Sequence, residues 1–242
     1  YDFKMEKAKQ NLKASAALAK RYGLTNLPKL PGTKTEVEAI ATNLKSNGWS
    51  VDLFTEAAAS EANFRKVKSP TVLHIATHGY YLKDVESEDK LFLGFETSSI
   101  KNNSLLRSGL ILAGAGPSTQ DSTNKDSEND GILTAYEASY LNLQSTELVV
   151  LSACQTGLGD EIGTEGVAGL QRSLTIAGAK NILMSLWPVD DLATQYLMTE
   201  FYKRYAVSRN VEDSFRSAQA MVKLKYPHPM YWAAFTLLKT FN

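Results

Sequence analysis

The sequence predicts an α/β fold, a mostly parallel central sheet with helices on both faces. Three observations lead there. "TVLHIAT" (71–77), "ELVVLSA" (147–153) and "KNILMSLW" (180–187) are short, largely apolar runs, as expected of strands covered on both faces. Segments whose apolar residues recur near every 3.6 positions stand between and around these runs. Strand and helix therefore alternate along the chain, which favours parallel pairing through helical crossovers.

Taken in order, "YDFKMEKAKQNLKASAALAKRY" (1–22) reads as a helix, with Phe3, Ala8, Leu12, Ala16 and Ala19 near helical spacing. "LPKLPG" (27–32) interrupts it. A second helix starts at Thr33 or Thr35, carries Glu36 and Glu38 in its first turn, and ends near Asn47-Gly48. "WSVDLF" (49–54) alternates like a strand, and "SEANFRKV" (60–67) reads as a short helix capped by Ser60. "GLILAGAG" (109–116) is a further strand candidate. "PSTQDSTNKDSEND" (117–130) has no apolar residue, four acids and one lysine, and reads as a mobile, solvated loop or a flap over a site. Helices are expected at "TAYEASYLNL" (134–143), at "TEGVAGLQRSLTIAG" (164–178, closed by Gly178), and over about 190–206 and 210–225. "YWAAFTLL" (231–238) is expected to close the chain as a strand.

A chain of 242 residues fits one large α/β domain or two small ones. With 43% hydrophobic and 21% charged residues it has the composition of an ordinary globular protein. Lys plus Arg and Asp plus Glu both number 26, so net charge gives no reason to expect nucleic acid or an anionic membrane as a partner. No run approaches the roughly 18 apolar residues of a membrane span, and no signal peptide opens the chain. A single cysteine excludes an internal disulfide framework and suits a reducing cytoplasm. A start at Tyr1 rather than Met leads to the expectation that the chain is cut from something longer.

In sheets of this class, ligands bind beyond the carboxyl ends of the strands. Cys154 lies just past "ELVVLSA", and His78 just past "TVLHIAT". A free cysteine is often a core filler, but this one sits at a strand end and is followed by Gly157 and Gly159, which leave backbone free to approach a ligand. The helix near Thr164 begins too far on to cap a thiolate directly. His78 is followed by Gly79, and the amides of Gly79 and Cys154 together suit an oxyanion hole. The thiolate would attack a carbonyl, and the histidine would protonate the leaving amine. His74 shares the face of His78 by strand parity and reads as a buried, hydrogen-bonded histidine. His228, between prolines, reads as structural. Other chemistries fail on spacing. His74 and His78 are separated by about 13 Å of strand and lack a third metal ligand. "GAGPST" (114–119) lacks the third glycine and following helix of a dinucleotide loop, and neither a nucleophile elbow nor a P-loop appears. A Cys/His pair is left, requiring no metal and no cofactor.

"VLHIATHGYY", "GILTAYEASYLNL", "ELVVLSACQTGLGD", "GTEGVAGLQRSLTIAGAKNILMSLWPVDD" and "YWAAFTLL", in that order, resemble the CHAT family of caspase-like peptidases. The likeness covers roughly residues 28–240. It implies the caspase–hemoglobinase fold of caspases, separase and gingipains. It also implies a catalytic dyad at His78 and Cys154, with Gly79 and Cys154 supplying the oxyanion amides. Members usually carry tetratricopeptide-type repeats upstream, so residues 1–27 would be a helix and linker left from such a region and 28–242 the peptidase domain. The caspase pattern is Q-A-C-[RQG]-G with the histidine about 50 residues upstream. Here the cysteine of S-A-C-Q-T-G stands 76 residues downstream of His78 (154 − 78), an excess to which the polar insertion around 117–130 contributes.

"SLWPVDD" (185–191) resembles the W-D-V-T-D of separase, which implies that Asp191, or Asp190 beside it, lines the primary specificity pocket and favours Lys or Arg. An N-cap role competes for either aspartate, and Asp160, Glu161 and Glu165 offer other sources of acidity. The expected function is a cytoplasmic cysteine endopeptidase acting on a protein substrate and governed by an upstream repeat module or activator. The resemblance associates such enzymes with bacterial regulated proteolysis, including defence. Three alternatives stay open: a peptidase with an apolar preference, a catalytically silent interaction scaffold, and a redox-responsive thiol protein without a resolving cysteine.

Overall fold

The computed structural model describes residues 30–82, 91–92, 95–96, 103–115, 131–152, 164–187 and 189–240. The expected helix at 1–22, the polar 117–130 stretch and Cys154 with the residues around it lie outside the described residues.

Helix α1 (Pro31–Ser46) begins earlier than expected, with Pro31 at its first position, where a missing N–H costs nothing. Thr33 Oγ donates back to the Leu30 carbonyl at 2.8 Å. The earlier start moves Glu36 out of the first turn and onto the buried stripe it shares with Ile40 and Leu44, at spacings of four residues. Residues 49–54 form no strand. Trp49 and Val51 turn into the core beneath the helices, and the Trp49 indole N–H donates to the Ala206 carbonyl at 3.0 Å. Their alternation reflects docking on helices rather than sheet pairing. A 3-10 turn (Glu56–Ala58) leads to the one-turn helix α2 (Glu61–Phe64), where Ser60 occupies the cap position but makes no side-chain cap bond.

The main sheet contains β1 (Val72–Ile75), β7 (Leu148–Leu151), β8 (Asn181–Ser185) and β9 (Phe235–Lys239) in that spatial order. β1, β7 and β8 run parallel, with Ile75 opposite Leu151 and Leu151 opposite Met184; β9 closes the edge antiparallel. Two smaller antiparallel units stand apart. One joins β2 (Gly79–Tyr81), β5 (Ser108–Ile111) and β6 (Ile132–Thr134); the other is a short ladder of β3 (Leu91–Phe92) with β4 (Phe95–Glu96). The expected strand at 109–116 thus joins the side sheet, not the main one.

Helices cover both faces of the main sheet. On one side lie α3 (Ala135–Ala138) and α4 (Thr164–Ile176); on the other lie α1, α5 (Asp191–Ser208) and α6 (Val211–Lys225). Helix α3 is shorter than the segment expected at 134–143. A capping box opens it, with Thr134 Oγ accepting from the Glu137 amide and the Glu137 carboxylate accepting from the Thr134 amide. Gly178, at φ 106°, follows the end of α4, where a residue with a Cβ would be strained. The C-terminal strand starts later than expected because Pro229 opens the short helix α7 (Pro229–Trp232), capped by the His228 ring, and β9 begins only at Phe235. The structural reading of His228 therefore holds. Among the described residues, no helix is long and apolar enough to cross a membrane.

Candidate functional site

The parallel pairing of β1, β7 and β8 brings their carboxyl ends to one edge of the sheet. The Ser152 amide, one residue past β7, donates to the Ile75 carbonyl, the last residue of β1, at 3.1 Å. The two strand ends that lead to His78 and to Cys154 are therefore neighbours. This is the crevice position for ligands in open α/β sheets.

His78 is buried and lies between β1 and β2. Its carbonyl accepts from the Ile111 amide at 2.8 Å, and the neighbouring Thr77 hydroxyl donates to the Ile111 carbonyl. The segment is thus pinned to β5 on both sides of one residue. In an antiparallel ladder, bonded and non-bonded pairs alternate. His78 with Ile111 and Leu82 with Arg107 are bonded pairs, so Gly79, opposite Leu110, falls in a non-bonded pair. Its N–H is directed away from β5, and β2 is an edge among the described strands.

Four residues before His78, His74 anchors a buried polar network. Its Nε2 lies 2.9 Å from Glu36 Oε1 and 3.3 Å from Ser152 Oγ, and its Nδ1 lies 3.0 Å from the Tyr202 hydroxyl. Glu36 comes from α1, Tyr202 from α5, and Ser152 from the end of β7. Burial, reinforced by Glu36 and Tyr205, holds the Tyr202 phenol well above its ordinary range, so it stays protonated. With Glu36 able only to accept, Nε2 carries the proton it donates to that carboxylate, and the Tyr202 hydroxyl, able to donate or accept, bonds Nδ1. His74 is therefore a largely buried, hydrogen-bonded histidine, close to what its strand position indicated.

Sequence reasoning missed Glu36, Ser152 and Tyr202 as its partners. The available signal was an acid lying four residues before Ile40 on an otherwise apolar helical stripe.

The two aspartates after β8 separate in role. The Asp190 carboxylate accepts from the Leu192 and Ala193 amides at 3.0 and 3.1 Å and so caps α5. Asp191 is the first residue of that helix and is exposed. Its Cβ lies 3.6 Å from where a Cβ on Gly32 would sit, so α1 and α5 meet at this point. Both aspartates follow β8 and lie toward the same sheet edge as His78. The structure brings the end of β7 against Ile75, three residues before His78; Cys154, Asp160 and Glu161 lie outside the described residues.

Comparison with known proteins agrees with this architecture. A 109-residue stretch, 44% of this chain, is 34% identical to Tetratricopeptide repeat protein 28 of Mus musculus, of which it covers 4%. The Homo sapiens protein of the same name is 33% identical over 110 residues, again 44% of this chain and 4% of that protein. The chain thus spans a small fraction of these curated relatives' length. The family model described as CHAT domain matches residues 6–240. With its mostly parallel sheet flanked by helices and its match along nearly the whole length, this chain belongs to the CHAT domain family.

Proposed function

We propose that this domain is a caspase-like cysteine endopeptidase with Cys154 as nucleophile and His78 as its acid–base partner. The observation that carries the reading is the adjacency of the β1 and β7 carboxyl ends, sealed by the Ser152–Ile75 bond. Cys154 follows Ser152 by two residues, about 7 Å of chain at most. His78 follows Ile75 by three, about 10 Å at most. Neighbouring strands stand about 4.8 Å apart, so chain connectivity allows both side chains to serve one substrate carbonyl.

In this mechanism the Cys154 thiolate attacks the scissile carbonyl carbon and forms a tetrahedral oxyanion. The Gly79 amide, directed away from β5, serves with the Cys154 amide as donor to that oxygen. Collapse breaks the C–N bond, His78 gives the departing amine its proton, and a Cys154 thioester remains. Water, losing a proton to His78, then hydrolyses the thioester and regenerates the thiolate.

For specificity, Asp191 is the better candidate, since the Asp190 carboxylate already caps α5. An exposed acid at this edge suits Lys or Arg in the primary pocket through charge-assisted bonds. The name of the relatives, a tetratricopeptide repeat protein, supports control by an upstream repeat module. The domain would then act on a protein substrate when that module permits.

A peptide-library cleavage profile of the domain with its upstream region, run beside Cys154→Ala, tests the reading. Cleavage by wild type alone, after Lys or Arg, is the expected result. An apolar preference would remove Asp191 from the specificity pocket. Equal cleavage by both proteins, or none by either under activating conditions, would leave an interaction scaffold.

A further inference from the structure

We propose that Glu36, His74 and Ser152 form a buried positioning relay that holds the carboxyl end of β7 against β1 and thereby sets the approach of the Cys154 thiol. Its catalytic consequence rests on the endopeptidase reading; its mechanical consequence does not.

Burying a carboxylate is costly unless it is paired, and nothing about covering a sheet requires one. Glu36 is nevertheless 5% exposed, on the buried stripe of α1 that also carries Ile40 and Leu44. Its partner His74 projects from β1 on the face that also carries Val72, toward α1 and α5. The relay ends at Ser152, which is 4% exposed and is tied to β1 twice. Its amide bonds to the Ile75 carbonyl, and its hydroxyl meets His74 Nε2. Two attachments on one residue fix both its position and its rotation, and Cys154 follows two peptide units later. Tyr202 completes the imidazole's bonding from the far side, which fixes the ring plane. The arrangement resembles the way outer hydrogen bonds orient the working groups of an active site.

The chain has one cysteine, so the alkylation rate with iodoacetamide near neutral pH reads Cys154 alone, with or without peptidase activity. Ser152→Ala leaves the Glu36–His74 pair intact and is the principal variant. It is expected to keep the wild-type unfolding midpoint, to slow alkylation about fivefold, and to lower kcat about fivefold at unchanged KM. Glu36→Ala is expected to slow alkylation similarly, while Glu36→Gln, which keeps an acceptor for the Nε2–H, restores most of the rate. Wild-type alkylation in Ser152→Ala overturns the relay, whether or not Glu36→Ala folds. If wild type cleaves no peptide but Ser152→Ala still slows alkylation, the endopeptidase reading fails and the positioning role stands.

Discussion

The two faces of the main sheet solve the same covering problem differently. The face under α3 and α4 packs Leu73, Ile75, Val149, Leu151, Ile182 and Met184 mainly against Leu and Ala side chains, and the buried carboxylate beside it, Glu61 of α2, is held by Arg65 and the Gly131 amide rather than by a strand residue. The face under α1, α5 and α6 has equally apolar strand positions, Leu148, Val150 and Leu183, yet it also encloses Glu36, His74, Ser152 and the Tyr202 hydroxyl. Ile75 and His74 are consecutive residues of one strand on opposite sides of this divide. The polar inclusion on the second face is built on a strand residue itself, His74, and lies toward the sheet edge where the β1 and β7 chains leave for His78 and Cys154.

Substitutions at these consecutive positions give the sharpest contrast. His74→Leu strands the Glu36 carboxylate in the core and is expected to cost about 3–5 kcal/mol in urea unfolding. Ile75→Val, next to it, is expected to cost about 1 kcal/mol. Adding Glu36→Leu to His74→Leu removes the uncompensated charge, so the double variant is expected to regain most of the lost stability. Its kcat is expected to stay depressed, because the hold on Ser152 is not restored. Equal costs at positions 74 and 75 would erase the distinction between the faces.

A smaller contrast concerns the two aspartates at the start of α5. Asp190→Ala is expected to cost about 1 kcal/mol of stability through loss of the cap. Asp191→Asn is expected to leave the unfolding midpoint in place and to weaken cleavage after Lys or Arg. A reversed pattern would exchange their roles.

The smallest effect is in alkali. Tyr202 is buried and its pKa is raised above the ordinary 10.0. The unfolded chain therefore loses this proton first. The contribution is complete below about pH 10 and falls away as pH rises toward the higher folded value. Tyr202→Phe is expected to show a shallower decline in stability between about pH 9 and 11, read from thermal midpoints across that range.

Much of this architecture was legible because burial writes itself into strands such as "LVVL" and "NILMS" as unbroken apolar runs. Gly178 and the proximity of the two strand ends were legible for the same local reasons. The alternation of 49–54 misled because Trp49 and Val51 are buried by helix docking, while Leu53 and Phe54 remain substantially exposed. The start of α1 was misplaced because a proline reads first as a breaker and only second as an opener. The relay could not be read from sequence at all: Glu36, His74, Ser152 and Tyr202 belong to four separate elements, and only tertiary packing brings them together. For the site, sequence indicated His78, Gly79 and Cys154 through strand-end position. It could not decide between Asp190 and Asp191 as the cap, which depends on the helix start.

The most direct measurement is intact-mass labelling of the protein, with its upstream region, by a peptidyl acyloxymethyl ketone bearing Arg at the reacting position. If His78 and Cys154 share one substrate carbonyl, wild type gains a single adduct at Cys154, and a folded His78→Ala loses nearly all of it. Equal labelling of both proteins would show that the imidazole does not serve the thiol, and would contradict the account.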